Sequence, residues 1–299
     1  MNNILITGGT GFLGNIIYNT LKDTNNVFTL SRNSVNYKCD LTKEIPEFNL
    51  KFDCIIHTAG LAHLIKKKEI QHNQYEKVNL VGTRNLLIGL KENMLPNKFI
   101  YISSVSVYGQ NKGILINEEA NLIFNDDYSK SKIESEKIIT DWCKKNNVIC
   151  TILRLPLVVG KNPPGNLGNL INSIKKRHFF LIKDHNPQKS MVLAEDVAHY
   201  IPYISEIGGI YNLTDGSHPK LKDIVLIIAK KHKIKFIPTF HIFFAKIIAY
   251  FGDIFPHNIP LNSTSLNKLC TSLTFDDKKA KSNDWNPNSV ITWLKNNEI

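Results

Sequence analysis

The stretch Thr7-Gly8-Gly9-Thr10-Gly11-Phe12-Leu13-Gly14, directly after the apolar run Asn3-Ile4-Leu5-Ile6, constrains the fold more than any other part of the sequence. The apolar run reads as a buried first strand. Gly8 and Gly11 let the backbone turn tightly and approach a phosphate, and Gly14 lets the following helix pack close to the strand. The start of that helix offers free N–H groups and the positive end of its dipole to an anion. A glycine triplet also serves as a plain turn. Strand before and helix after favour a dinucleotide pyrophosphate site, with Phe12 and Leu13 at its edge.

Val27-Phe28-Thr29-Leu30 is the second strand, and where dinucleotide folds usually place an acid for the ribose 2′-hydroxyl this chain has Ser31 and then Arg32. A guanidinium beside a small hydroxyl suits a 2′-phosphate, so NADP(H) is the favoured cofactor. NAD(H) is the alternative, with Arg32 then an ordinary surface arginine. Asp40, between Cys39 and Leu41, and Ala59-Gly60, after the strand Cys54-Ile55-Ile56-His57, fall where the adenine and its ribose would lie. Asp40 suits a turn equally well.

Tyr128-Ser129-Lys130-Ser131-Lys132 is the second informative constellation, with Ile100-Tyr101-Ile102-Ser103-Ser104 upstream. A tyrosine and a lysine four apart share a helix face, so the ammonium can lower the phenol's pKa while reaching a cofactor ribose. Tyr18/Lys22 and Tyr108/Lys112 have the same spacing. Tyr18 lies on the helix leaving the glycine turn and reads as packing. Tyr108 runs into Gly109 and the Asn111-Lys112-Gly113 turn, which leaves no helix to align the pair. Tyr128 opens a helical run over 128–142 and follows a strand that ends in serine.

With these features the chain resembles the extended short-chain dehydrogenase/reductases, the NAD-dependent epimerase/dehydratases acting on nucleotide sugars. The resemblance extends to Asn79 in Val78-Asn79-Leu80-Val81-Gly82-Thr83, to Ser103-Ser104-Val105-Ser106-Val107-Tyr108-Gly109 and to Leu153-Arg154-Leu155-Pro156-Leu157-Val158-Val159-Gly160. It continues through Glu195-Asp196-Val197-Ala198, Gly209-Ile210-Tyr211-Asn212 and Asp284-Trp285-Asn286-Pro287, almost the whole length. It implies an α/β fold, a Rossmann doubly wound parallel sheet of seven strands with a smaller C-terminal substrate-binding domain closing over a nucleoside-diphosphate sugar. It implies Ser104, Tyr128 and Lys132 as the catalytic triad, and Asn79 and Pro156 beside the cofactor. Asn166 matches a position that commonly hydrogen-bonds the nucleotide, though a loop asparagine after two prolines is the plain reading. Lys189 stands where relatives carry an arginine on the sugar diphosphate; a lysine keeps the charge and loses the paired fork.

A 4,6-dehydratase of this kind needs an acid/base pair right after its hydroxyl residue, and Val105 and Ser106 cannot supply one. A 4-ketoreductase drawing on NADPH and a 4-epimerase retaining NAD are left. Arg32 favours the ketoreductase, and the compact C-terminal lobe resembles reductases that act on UDP-4-keto-6-deoxy-N-acetylhexosamines for surface polysaccharide. A UDP-glucose or UDP-N-acetylglucosamine 4-epimerase is the alternative. An inactive NAD(P)-binding module is the non-enzymatic one.

The 299 residues suffice for a large core and a small lobe. Strands are expected near 3–7, 27–31, 53–58, 98–104 and 148–155, with helices between. The Rossmann domain is placed at 1–160 with returning segments at about 189–214, both expected to rejoin the sheet. The sugar-nucleotide lobe takes 161–188 and 215–299. The net charge of +11 comes from lysines spread along the chain, including Lys66-Lys67-Lys68 and Lys175-Lys176-Arg177 on solvated faces, without the aromatic-interleaved basic motif of a nucleic-acid binder. Five cysteines form no Cys-x-x-Cys pair, and His57 and His63 read as structural, so neither disulfides nor a metal site are expected. Ile4 to Ile6 run straight into the glycine turn without a signal-peptide pattern, which points to the cytoplasm. The apolar stretch 236–255 is interrupted by His241, Lys246 and Asp253 and bounded by Pro238 and Pro256. It is too short to span a bilayer and reads as a helix of the small domain, buried against the sugar site or a second subunit of a homodimer. Peripheral membrane contact is the other reading.

Overall fold

The computed structural model describes residues 1–34, 36–62, 73–255 and 261–299. His63, Lys66-Lys67-Lys68 and Pro256 lie outside them. Parallel strands β1 (Asn3–Thr7), β2 (Asn26–Ser31), β3 (Tyr37–Lys38), β4 (Cys54–His57), β5 (Lys98–Ser104), β6 (Ile149–Leu155) and β7 (Gly209–Asn212) form one seven-stranded sheet in the order β7-β6-β5-β4-β1-β2-β3. The helices that position the site are α1 (Phe12–Leu21), α2 (Gly82–Gly89), α3 (Asp127–Lys145), α4 (Gly165–Lys175), α5 (Ala194–Ile207), α6 (Leu221–Lys231) and α7 (Ile242–Ile254).

Strand alternation sorts the apolar side chains onto both faces. Leu5, Ile55, Phe99 and Ile152 pack with Leu86 of α2 and Ile139 of α3, whereas Ile4, Ile6, Ile56, Ile100 and Leu153 pack with Ile17 of α1 and Val197, Ile201 and Ile204 of α5. Chain order reverses at β1, which has β2 on one side and β4 on the other. Doubly wound sheets open a crevice there, at the carboxyl ends of the strands.

The segment near Tyr211 joins the sheet as expected, but the one near 189–192 does not. Met191–Leu193 pairs instead with Leu157–Val159 in a separate two-stranded parallel ladder. Pro156 lacks the N–H to continue the β5–β6 ladder, and β7 already lies along the outer edge of β6. Around this ladder Val159, Leu193, Ile171 of α4, Ile224 and Ile228 of α6, Val290 and Leu294 build the second core.

The stretch 236–255 also departs from expectation. It contains α7, but only Ala245, Ala249 and Gly252 of that helix are buried, against Ile182, Leu261 and Leu266. Its large side chains face outward. The chain's last part returns to the first domain: Leu273–Phe275 pairs with Gly113–Ile116, and Ala280 and Trp285 join the core beside α1 and α5.

Candidate active site

The glycine turn is built as its composition requires. Gly8 sits at φ +71°, where a Cβ would come within 2.8 Å of the Ala59 backbone, and a Cβ on Gly14 would run into the Gly8 carbonyl oxygen. The Gly8 N–H donates to the Leu30 carbonyl at 2.9 Å and that of Gly11 to the Gly8 carbonyl at 2.8 Å. Gly11 begins α1 with no side-chain cap, so the helix start presents backbone N–H groups. Phe12 lies against Gly160, past Pro156, and Leu13 packs on the core. This narrow cradle with an uncapped helix end fits a dinucleotide's pyrophosphate.

Along the crevice, Ala59 donates its N–H to Thr7 Oγ1 at 3.2 Å. Thr7 Oγ1 is also 2.6 Å from Nδ1 of His57, whose Nε2 is 2.9 Å from Thr83 Oγ1. Burial pulls the His57 pKa down to about 3 with Lys132 adding to it, so this imidazole is a neutral brace tying β4 to β1 and α2. Arg32 is exposed after β2. Asp40 accepts from the Thr42 hydroxyl at 2.7 Å and its N–H at 3.1 Å, which with Arg32 and Lys43 nearby lowers its pKa despite some desolvation. It thus closes its own turn. Leu41 is buried on Gly82 of α2.

Asn79 is buried in a π-helical turn, Glu76–Val81. Its Oδ1 accepts the Leu61 N–H at 2.6 Å, and its Nδ2 donates to Ser131 Oγ at 2.9 Å. A Cβ built on Gly60 would lie 3.2 Å from Asn79 Oδ1 and 3.4 Å from Lys132 Nζ. The structure therefore gathers Gly60, Asn79 and Lys132 at one point beside the glycine turn.

Asp126 caps α3, accepting the Ser129 N–H at 2.7 Å in a capping box, and so fixes where Tyr128 and Lys132 emerge. Ser104 ends β5, accepts the Ser106 N–H at 3.2 Å and lies near enough to Tyr128 to act on its pKa. Burial pushes the Tyr128 pKa up to about 12, the nearby Ser104 hydroxyl opposing. The Lys132 ammonium is engaged elsewhere in this structure. That ammonium donates to the Ile102 carbonyl at 2.9 Å and lies 4.6 Å from the Tyr101 ring centroid, while burial brings its own pKa down to about 8. Tyr75 packs on Tyr128, ring centroids 5.6 Å apart.

Behind Ser104, Tyr128 and Lys132 lies a buried polar network that the residue types alone did not reveal. Arg154 of β6 grips Glu136 of α3 through Nε at 3.1 Å and Nη2 at 2.7 Å, and Glu136 accepts from Ser103 at 2.5 Å. Arg154 Nη1 donates to the Tyr108 hydroxyl at 3.0 Å, which donates to Asn212 at 2.7 Å. Glu136 lies four residues after Lys132, a helix-face signal, whereas its pairing with Arg154 is visible only in three dimensions. Ser106 Oγ, two residues beyond Ser104, is buried and has no hydrogen-bond partner among the described residues.

In the second lobe, Asn166 is exposed in the first turn of α4. Lys189 donates Nζ to the Thr271 carbonyl at 2.9 Å. Burial, with Lys268 adding a like charge, lowers its pKa to about 8. The structure brings Ser104, Tyr128, Lys132, Asn79 and Gly60 together, whereas the contacts of Lys189 are with Thr271, Pro219 and Leu273.

In sequence the chain is similar to the N-acetyl-alpha-D-glucosaminyl-diphospho-ditrans,octacis-undecaprenol 4-epimerase of Escherichia coli O157:H7, 25% identical over 94% of this chain and 89% of that protein. It is 32% identical to the UDP-glucose 4-epimerase of Vibrio cholerae over 58% of this chain and 57% of that protein. Its fold superposes with a TM-score of 0.75 on the UDP-glucose 4-epimerase of Thermotoga maritima solved with UDP-glucose, at 19% identity over 98% of this chain and 96% of that one. Over residues 4–213 the chain matches the model of the NAD dependent epimerase/dehydratase family, and it belongs to that family.

Proposed function

We propose that the chain is a 4-epimerase of a nucleoside-diphosphate sugar, with Tyr128 as the proton-transfer group. The observation that carries this reading is the meeting of Tyr128 with Ser104 at the carboxyl end of β5, one helical turn from Lys132, whose Nζ lies beside Gly60 and the glycine cradle. Gly8, Gly11 and Gly14 would hold the pyrophosphate, and Gly60, Asn79 and Lys132 the part of the dinucleotide nearest the reacting carbon. A bound nicotinamide dinucleotide supplies the hydride acceptor and donor. Tyr128 and Ser104 would hold the C4 oxygen of the sugar and move its proton, leaving as C4 is oxidised and returning as it is reduced. With its pKa near 12, Tyr128 rests in the protonated form that serves the reducing half. The oxidising half needs that value lowered, and Lys132, on the same face of α3, is the cation placed to do so. Lys189 would neutralise the diphosphate and Asn166 would meet the nucleotide.

The sequence pattern favours a ketoreductase through Arg32, whereas the named activities of the relatives favour an epimerase. Arg32 remains exposed after β2 and contributes to the lowered pKa of Asp40, so a 4-ketoreductase using NADPH is the second reading. The test incubates purified protein, without added cofactor, with UDP-glucose and UDP-N-acetylglucosamine, and with N-acetylglucosaminyl-diphospho-undecaprenol, the compound named for the Escherichia coli relative. NMR detection of the galacto isomer supports the epimerase. Stoichiometric NADPH oxidation with a UDP-4-keto-6-deoxy-N-acetylhexosamine, and no interconversion, replaces it with the reductase. Inertness in every arm rejects both.

A further inference from the structure

The densest run of large apolar side chains left facing solvent lies at 236–255. Phe236 is 75% exposed, Phe243 and Phe244 60% and Tyr250 63%, with Ile247 and Phe251 exposed among them. At 3.6 residues per turn, Phe243, Ile247 and Tyr250 form one row on α7 and Phe244, Ile248 and Phe251 the next, opposite Ala245, Ala249 and Gly252. A helix apolar toward the protein and largely apolar away from it, with only Lys246 and Asp253 charged on its exposed side, presents little solvent face, so a partner covers the outer side.

We propose that this face docks on an anionic membrane surface, with α7 lying in the plane of the headgroups. Its 13 residues extend about 20 Å, short of the hydrocarbon thickness, and no helix among the described residues is long and apolar enough to cross a membrane. Phenylalanine and tyrosine at this density suit the boundary between headgroups and acyl chains. The rim carries the matching charge. Phe236 shares a shallow cleft of about 370 Å³ with Arg177, Lys233 and Lys235. Lys183 stands where the Leu181–Ile182 strand meets Phe240, donating its N–H to the Phe240 carbonyl at 2.8 Å, and Lys246 is exposed on α7 itself. Of the nearby acids, Asp253 is engaged by the Ser263 N–H at 3.1 Å and by its hydroxyl, and Asp184 is exposed. Anionic headgroups complement this rim. A second copy does not, because a two-fold contact through the same face would bring one basic rim toward the other.

The test sediments the full chain with vesicles of phosphatidylglycerol and phosphatidylethanolamine, and with phosphatidylcholine alone, at low and raised salt. Binding to the anionic vesicles is expected, weakened by salt. The double variants Phe243→Ser/Phe244→Ser and Lys233→Glu/Lys235→Glu should each lower it about tenfold or more, while circular dichroism and turnover of a soluble sugar nucleotide stay unchanged. Their side chains point to solvent, so folding is spared. Failure of the wild type to bind, or binding that neither variant weakens, overturns the proposal. So does a wild-type dimer in gel filtration that Phe243→Ser/Phe244→Ser converts to monomer without vesicle binding. None of these results depends on which reaction the Tyr128 site catalyses.

Discussion

Three tyrosines share one spacing to a lysine, and their surroundings give them three different jobs. Tyr18 lies on α1 with Lys22 5.9 Å from its ring centroid, a surface contact. Tyr108 is fully buried, its hydroxyl tied to Arg154 and Asn212. Tyr128 meets Ser104. Tyr128→Phe should lower kcat by ~10²–10⁴-fold, the usual range for a positioned general acid, with little change in melting temperature. Tyr18→Phe should be silent in both assays. Tyr108→Phe leaves two buried polar partners unsatisfied and should destabilise by ~1–3 kcal/mol, read from urea unfolding, so it is no neutral control. Full turnover by Tyr128→Phe would end the catalytic assignment. Arg32 is a matter of cofactor choice: Arg32→Ala should weaken NADPH by ~1.5–3 kcal/mol in fluorescence titration and leave NADH nearly unchanged if it holds the 2′-phosphate. Equal losses would return it to the surface. Lys189 makes a prediction with a sign. Its folded pKa, about 8, is below the ordinary 10.5, so the charged form is disfavoured in the fold. That destabilisation is present at pH 7 and is relieved as pH rises from about 8 towards 10.5. Lys189→Met should therefore raise the melting temperature at pH 7. If the ammonium binds diphosphate, the same variant should raise KM, and wild-type KM should climb above pH 8 as the charge is lost. A KM unchanged by the variant assigns the lysine to packing alone.

At the scale of elements, what the sequence made legible was local. Strand, glycine turn and α1 follow one another without interruption, so the cradle could be read from residues 3–14, and the run opening at Tyr128 announced α3 in the same way. Gly14→Ala tests the first of these: its Cβ would meet the Gly8 carbonyl, backbone that cannot swing aside. The variant should lose dinucleotide affinity and melt at lower temperature, whereas Gly165→Ala, with open space around its Cβ position but φ +66°, should affect stability modestly and cofactor binding not at all. Matching behaviour of the two would mean the turn is not a binding cradle. What stayed hidden depended on pairing across the chain. An apolar run such as Met191–Leu193 declares a strand but not its neighbour, which turned out to be Leu157–Val159 rather than the main sheet. The Glu136–Arg154 pair joins residues from different elements whose meeting no spacing encodes. For α7 the apolar composition was plain, but burial was inferred from it, and the small Ala245, Ala249 and Gly252 proved to be the inward face. The ammonium of Lys132 was expected to act on Tyr128; the Ile102 carbonyl competes for it.

Across the whole molecule, the two lobes share one fate because the chain weaves between them. β7 enters the sheet only after α4 and α5 have been made, and Asn212 at its end binds the Ile116 and Asp276 carbonyls through Nδ2 at 3.2 and 3.3 Å. The C-terminal segment then pairs with Gly113–Ile116 and places Trp285 in the core beside Ile17 and Ile201, its Nε1 donating to the Thr214 carbonyl at 2.8 Å. The same segment supplies Thr271, which holds Lys189, and Val290 and Leu294 of the second core. A residue more than two hundred positions from α1 is thus part of the packing that holds α1 on the sheet. Removing it should be felt everywhere. Trp285→Ala leaves a large cavity and an unpaired Thr214 carbonyl and should destabilise by ~3–5 kcal/mol. Because both lobes draw on this segment, unfolding followed by far-ultraviolet circular dichroism and by the fluorescence of Trp142, on α3, and Trp293, beside the second core, should show coincident midpoints in the wild type and in the variant. Two separated transitions, with Trp285→Ala moving only one of them, would show instead that each lobe folds on its own.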